Sequence, residues 1–266
     1  MVTTAIERAA RRIADARLEG ALVTTLPADD APRTEEDGYA IQAEVHRLLT
    51  EEGRGEIAGY KVAATAKTMQ DYLGISAPCA AGMPANRVRV SGAAFVLAEF
   101  LGPGAECEIA VILARDLPAS SAPYAGENVS DAVATCHAAM EVVDNRYDDF
   151  SALGAPTLIA DDFFFAASVL GRPVAPGLDL AATRGAMTVN GTEVGSGFGS
   201  ALLGHPYESL AWLANRLADV GRELKAGQVV MCGSVIPPVW LKDHGDGPYQ
   251  VTVAFEGLGE ARARFY

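Results

Sequence analysis

The sequence predicts an α+β fold in which helices come first and strands dominate afterwards. Two observations carry this. The N-terminal part holds amphipathic stretches opened by helix-capping signals, and from about Ile57 the pattern changes to short apolar runs separated by Gly and Pro. The composition agrees: 266 residues, half of them hydrophobic and 21% charged, suit a globular chain with a large core and no low-complexity linker.

The elements follow in order. Thr4 and Glu7 form a potential capping box ahead of an Ala-rich helix. Thr34 and Asp37 open a second helix, which carries Ile41, Val45, Leu48 and Leu49 on one face and closes at Gly53. Strands are expected over Ala58–Val62, Phe95–Phe100, Glu106–Ala114, Met140–Asp144 and Gln228–Cys232. A helix is expected after Ser130, with Val133, Cys136 and Met140 on one face. Another follows Pro206, presents Leu210, Leu213, Leu217 and Val220, and stops at Gly221. Runs around Val251–Phe255 and Ala261–Phe265 read as a closing pair of strands.

Charge excludes several classes of partner. The formal net charge is −13, from 21 Lys plus Arg against 34 Asp plus Glu, and no basic cluster offsets it. Nucleic acid and anionic membranes are therefore disfavoured, and an anionic substrate needs a locally positive site such as a bound cation. No apolar stretch is long enough to cross a bilayer. Arg8, Arg11, Arg12 and Arg17 interrupt any signal-like core at the start, so a cytoplasmic protein is expected. Cys79, Cys107, Cys136 and Cys232 lack zinc or redox spacing and read as buried thiols.

The most informative local feature is Glu106-Cys107-Glu108, at the head of Ile109-Ala110-Val111-Ile112-Leu113. On a strand, alternation places both carboxylates on one face, where they repel unless solvent or a cation compensates. Hard cations prefer such oxygen ligands. The pattern alone nevertheless favours a solvent-facing strand edge. Glu141 is a third carboxylate in an apolar run, Glu141-Val142-Val143-Asp144; its ordinary reading is an exposed helix end. Lys61, in Gly59-Tyr60-Lys61-Val62-Ala63, either snorkels to solvent or is desolvated with a lowered pKa that suits proton transfer. Gly195-Ser196-Gly197-Phe198-Gly199-Ser200 lacks the last glycine of a dinucleotide-binding turn and reads as a flexible turn near the site.

Taken together the segments resemble the 2-keto-4-pentenoate hydratase and 4-oxalocrotonate decarboxylase group of the fumarylacetoacetate hydrolase superfamily. The resemblance runs from Asp37-Gly38-Tyr39-Ala40-Ile41-Gln42 through Gly59-Tyr60-Lys61-Val62, Lys67-Thr68-Met69-Gln70, Glu106-Cys107-Glu108 and Glu141-Val142-Val143-Asp144-Asn145-Arg146. It continues through Asn190-Gly191, Leu202-Leu203-Gly204-His205-Pro206, Ala211-Trp212-Leu213-Ala214-Asn215 and Ala226-Gly227 to Cys232-Gly233-Ser234. It implies a mixed-β core of the fumarylacetoacetate hydrolase type (β-roll or sandwich) with helices packed outside. Residues 1–84 would form a mainly helical region and 85–266 the catalytic core, in one cooperative unit. It also implies Mg²⁺ or Mn²⁺ on Glu106, Glu108 and Glu141, with Lys61 as catalytic proton carrier. The substrate would be a small 2-oxo or 2-hydroxydienoic acid, hydrated to a 4-hydroxy-2-oxo acid. A homo-oligomer, with or without a related pathway enzyme, is implied as well; Trp212, Leu213 and the apolar terminal strands are candidates for its contacts.

The sequence departs from the family where substrate is read. Leu73-Gly74-Ile75-Ser76 lacks the acids usual there, and Ser76 is no strong base. After Ile159-Ala160-Asp161, Asn and small residues are replaced by Asp162-Phe163-Phe164-Phe165, and Ile236-Pro237-Pro238-Val239-Trp240 is bulkier than usual. Ser76, Asp162, Phe163, Phe164 and Ser234 are therefore the candidate substrate-binding residues. Decarboxylation, tautomerisation or acylpyruvate-type hydrolysis remain alternatives, as does a non-catalytic subunit. His205 reads as structural, and His46, His137 and His244 show no better claim to catalysis.

Overall fold

The computed structural model describes residues 3–23 and 25–266; the side chains of Thr68, Tyr72 and Ser151 lie outside the described set. Helices α1 (Ala5–Glu19) and α2 (Glu35–Glu51) both begin with the expected capping boxes, Thr4 with Glu7 and Thr34 with Asp37. Each such cap stabilises its helix by about 1 kcal/mol, by satisfying amide groups that the first turn leaves unpaired. Strand β1 (Ile57–Ala63), helix α3 (Lys67–Leu73), then β2 (Cys79–Pro84), β3 (Val88–Val90), β4 (Ala93–Phe95) and the long β5 (Pro103–Leu113) follow. One-turn α4 (Gly126–Val129) precedes β6 (Val133–Asp144), and α5 (Ala155–Ala160) precedes β7 (Phe165–Leu170). The hairpin β8 (Arg184–Val189) and β9 (Thr192–Phe198) leads to α6 (Pro206–Ala218), β10 (Val229–Ser234) and the short β11 (Val239–Trp240). Strands β12 (Tyr249–Phe255) and β13 (Gly259–Phe265) close the chain as an antiparallel pair, as expected.

The strands form two sheets. One has the order β2-β1-β10-β5-β6-β7-β3, with β11 also on β5; the other runs β4-β13-β12-β8-β9. Between them lies the main core, where Cys107, Ile109, Val111, Met140 and Val142 meet Val251, Val253, Ala263 and Phe265, with α6 supplying Leu210 and Leu213. A second core joins α1, α2 and α5 through Ile13, Ile41, Val45, Leu48, Leu158 and Ile159. Each such side chain, once buried, contributes about 1.5–3 kcal/mol. Although β1 and β2 precede residue 85, they belong to the sheet that holds β5, β6 and β10.

Several expectations are corrected. The segment after Ser130 is no helix; after one short turn it enters β6. Val133, Cys136 and Met140 have helix-like spacing because β6 is buried on both faces, which erases the alternation that marks a half-exposed strand. The Phe95–Phe100 strand stops at Phe95, and residues 97–99 form a 3₁₀ turn. Phe95 and Phe100 are apolar because both pack on Phe265, at 5.2 and 6.1 Å between ring centroids. Residues 195–198 belong to strand β9 rather than a flexible turn, and Gly195 and Gly197 lie against Ile236 and Val235. Helix α6 ends at Ala218, before the exposed Val220. Leu213 and the inward residues of β12 and β13 are consumed inside this chain, and so are not free for subunit contacts. The four cysteines are buried and unpaired, as expected.

Candidate active site

Four neighbouring strands bring the charged residues together. Because β1, β10, β5 and β6 lie side by side, Lys61 reaches toward the carboxylates of β5 and β6. Glu106 and Glu108 are two residues apart on β5 and share a face, and Glu141 stands directly opposite Glu106 in the β5–β6 register. One carboxylate oxygen from each of the three lies within 4.8 Å of the others. Glu108 and Glu141 are 1% and 0% exposed and Lys61 3%, so neither the solvent-facing strand edge nor a snorkelling lysine describes them. Nor is Glu141 a helix end, since it lies within β6.

Unit charges this close repel by roughly 3–4 kcal/mol per pair at an effective dielectric of about 20. One lysine cannot balance three such carboxylates. Burial and the Glu141 charge push Glu106 up to about 7, and Glu108 is raised well above the ordinary carboxylate range by burial and by both neighbours. Glu141 is raised by burial, against the pull of Lys61. Burial alone lowers the Lys61 pKa, as the sequence suggested, but Glu141, Glu106 and Glu108 outweigh it and the net direction is upward. The ammonium donates to Glu141 Oε1 at 2.7 Å and to the Phe163 carbonyl at 2.6 Å. Glu141 Oε2 is buried without a hydrogen-bond partner. An orphaned anionic oxygen among three converging hard oxygen donors is the donor set of Mg²⁺ or Mn²⁺, and these residues fit such an ion.

Backbone irregularities complete the site. The β10–β5 register shifts between Met231 and Ser234, and Gly233 has φ +113°, which a side chain would resist. This bulge turns the Gly233 N–H onto Glu108 Oε2 at 3.0 Å. Ser234 clips the bulge: its hydroxyl accepts from Cys107 N at 3.1 Å and donates to the Ile236 carbonyl at 2.7 Å. Ser76 is exposed between α3 and β2.

The Asp162-Phe163-Phe164 turn is unusual. All three residues have left-handed backbones, with φ of 56°, 47° and 65°. Each costs roughly 1–3 kcal/mol, so other contacts must hold the turn. Asp162, 0% exposed, supplies them: it accepts from Arg17 Nη1 at 2.9 Å and lies 2.8 Å from His46 Nε2. The Gly82 N–H also approaches Asp162, at 3.3 Å, and a Cβ on Gly82 would meet His46 at 2.5 Å. Burial alone would raise the Asp162 pKa, but His46 and Arg17 hold its carboxyl below the usual range. Beside it Arg146 grips Asp161 at 2.9 Å, and Tyr147 donates to the same carboxylate at 2.7 Å.

The aromatic replacements divide their roles. The Phe163 ring is buried in the helical core and its carbonyl serves Lys61. Phe165 packs in a separate core with Met83 and Met231. Phe164 stands edge-on to Tyr147, Phe150 and Trp240. The two bulky departures, at 162–165 and 236–240, thus touch through Phe164 and Trp240. Trp240 covers Gly104, one step along β5 from Glu106 on the same face. Sequence reasoning missed Arg17, His46, the Gly233 amide and the Phe163 carbonyl. His205 is structural as read, accepting the Tyr207 N–H at 3.0 Å where α6 begins.

Comparison with known proteins adds independent support. Residues 41–266 match the model described as fumarylacetoacetate (FAA) hydrolase C-terminal. The chain is 34% identical over 262 residues to a 2-keto-4-pentenoate hydratase of Burkholderia vietnamiensis, covering 96% of this chain and 95% of that protein. It is 33% identical to a 2-hydroxyhexa-2,4-dienoate hydratase of Comamonas testosteroni, covering 98% and 97%. Among solved structures, 4-oxalocrotonate decarboxylase from Pseudomonas putida G7, complexed with magnesium and adipate, superimposes with a TM-score of 0.90 at 27% identity, covering 98% of this chain and 97% of that one. With its sheets, its helical N-terminal region and its three converging glutamates, this chain belongs to the fumarylacetoacetate hydrolase family.

Proposed function

We propose that the protein is a divalent-metal-dependent hydratase that adds water to a 2-hydroxy-2,4-dienoate and releases a 4-hydroxy-2-oxo acid. The observation that carries this is the orphaned Glu141 Oε2 within three converging carboxylates, two of them buried, with Lys61 Nζ 2.7 Å from the same group. Glu106, Glu108 and Glu141 would hold Mg²⁺ or Mn²⁺, a Lewis acid able to bind the substrate's carboxylate and stabilise negative charge on its 2-oxygen. Among the described residues Lys61 is the amine that reaches this cluster, and its Nζ is proposed to move the protons. The proton lost from the 2-hydroxyl is matched by one gained at the far end of the diene, so Lys61 ends as it began. The resulting enone accepts water at C4. Burial of Lys61, Glu108 and Glu141 limits competing proton exchange with solvent.

The test is an ultraviolet assay of 2-hydroxypenta-2,4-dienoate consumption with and without Mg²⁺ or Mn²⁺. Metal-dependent hydration is expected; an inert protein that still binds metal would show that the reaction or substrate has changed. Decarboxylation is the second reading, because a decarboxylase superimposes at a TM-score of 0.90. Release of CO₂ from 4-oxalocrotonate in the same assay would favour it. Ser76 and Ser234 remain proposed substrate contacts, with Phe164 proposed as part of the pocket wall. Self-association belongs to the same proposal, and Val90 and Phe198, 77% and 53% exposed, offer apolar contacts that Leu213 does not. The proposed compartment is the cytoplasm, supported by four unpaired cysteines and, among the described residues, no helix able to cross a membrane.

A further inference from the structure

We propose that Arg17 and His46, from the two N-terminal helices, are positioning residues for Lys61, acting through Asp162 and the Phe163 carbonyl. The proposal rests on the role of Lys61 given above. Arg17 lies before residue 41, where the family match begins.

The chain of contacts is continuous. Among the described residues, Lys61 Nζ donates to two partners, Glu141 at 2.7 Å and the Phe163 carbonyl at 2.6 Å. Glu141 has a second duty as one of the three clustered carboxylates, so the Phe163 carbonyl is the fixed neutral acceptor that aims the ammonium. That carbonyl points to Lys61 because its residue adopts φ 47° and ψ 59°, between two further left-handed residues. A bulky side chain does not hold this conformation unaided. The buried charge within the turn is Asp162, and its cationic or imidazole partners are Arg17 Nη1 at 2.9 Å and His46 Nε2 at 2.8 Å. Arg17 also lies 3.6 Å from Asp161, whose carboxylate Arg146 holds from the other side. Helices α1 and α2 thus clamp the turn, and the turn sets the lysine. Without the clamp, Asp162 would be a buried anion lacking its counter-charge, and the turn could relax toward ordinary backbone angles.

The test uses the full chain with Arg17→Met, Arg17→Lys and Lys61→Met, assayed on 2-hydroxypenta-2,4-dienoate with Mn²⁺. Arg17→Met is expected to lower kcat by about 10- to 100-fold, with KM and the Mn²⁺ Kd nearly unchanged. Arg17→Lys should recover most of the rate. A crystal structure of metal-free Arg17→Met should show the Phe163 carbonyl withdrawn from Lys61 Nζ. If Arg17→Met does not fold, His46→Gln, which keeps Arg17, carries the same expectation at smaller size. Loss of kcat in step with KM and Mn²⁺ affinity would reduce Arg17 to a structural residue and overturn the proposal. Unchanged kcat in Arg17→Met, while Lys61→Met is inactive, would overturn the positioning alone. Full activity in Lys61→Met would overturn the catalytic role of Lys61, and this proposal with it.

Discussion

Lys61→Met is expected to lower kcat by about 10²- to 10⁴-fold and to leave Mn²⁺ bound at least as tightly as before. The two effects separate because Lys61 has two relations to the carboxylates. As the amine at the centre it carries the proton, and methionine, of similar length, cannot. As a cation 2.7 Å from Glu141 it competes with any ion for the same negative charge. Removing it makes the cluster more negative and a stronger ligand set. Glu141→Gln should give a different pair of outcomes. The amide keeps the shape of a fully buried side chain but removes one charge and leaves Lys61 without its ion-pair partner. Both metal affinity and turnover should fall, and breaking this buried pair should cost about 3–5 kcal/mol of stability in the metal-free protein. Calorimetric titration with Mn²⁺, beside steady-state rates, reads both variants. Undiminished turnover in Lys61→Met would refute the assignment of the proton carrier.

What could be read in the sequence depended on how local its cause was. The capping boxes of α1 and α2 and the closing hairpin were legible because each is written within a few neighbouring residues. Glu106 and Glu108 were legible as one face of a strand, while their burial was not, because it depends on the layers that cover the sheet. β6 was misread because burial on both faces hides the period of a strand. Lys61 was legible as either a snorkelling or a desolvated lysine, the pattern favouring the first; its burial, and the direction of its shift, depend on a fold that brings in three carboxylates from β5 and β6. Arg17 showed no signal at all: in the sequence it serves only to interrupt an apolar stretch, and its partner lies 145 residues away. The bulky segments at 162–165 and 236–240 looked like separate departures. The contact of Phe164 with Trp240 makes them one wall, a relation that a single sequence does not contain.

The metal-free protein is expected to lose stability as pH rises from the ordinary carboxylate range to neutrality, and Mg²⁺ should abolish that loss. Folding raises Glu106 from 4.5 to about 7 and also raises Glu108 and Glu141. In this window the folded state therefore binds more protons than the unfolded chain, and stability falls with rising pH. Asp162 does not blur the effect. Its folded pKa is depressed below 3.8, so its stabilising contribution is complete above that value and is lost only in stronger acid. Metal affinity should follow the opposite course. An ion binds the ionised carboxylates, so it must displace the protons that the crowded cluster retains, and each displaced proton weakens binding about tenfold per pH unit of acidification. Affinity for Mg²⁺ should consequently climb up to and past the Glu106 value of about 7. Thermal unfolding in EDTA and in excess Mg²⁺, between about pH 5 and 8, measures both arms. A melting temperature in EDTA that stays level or rises across this range would mean that the three carboxylates are not crowded together in the folded protein. The metal would then lack the electrostatic reason for binding on which the proposed function depends.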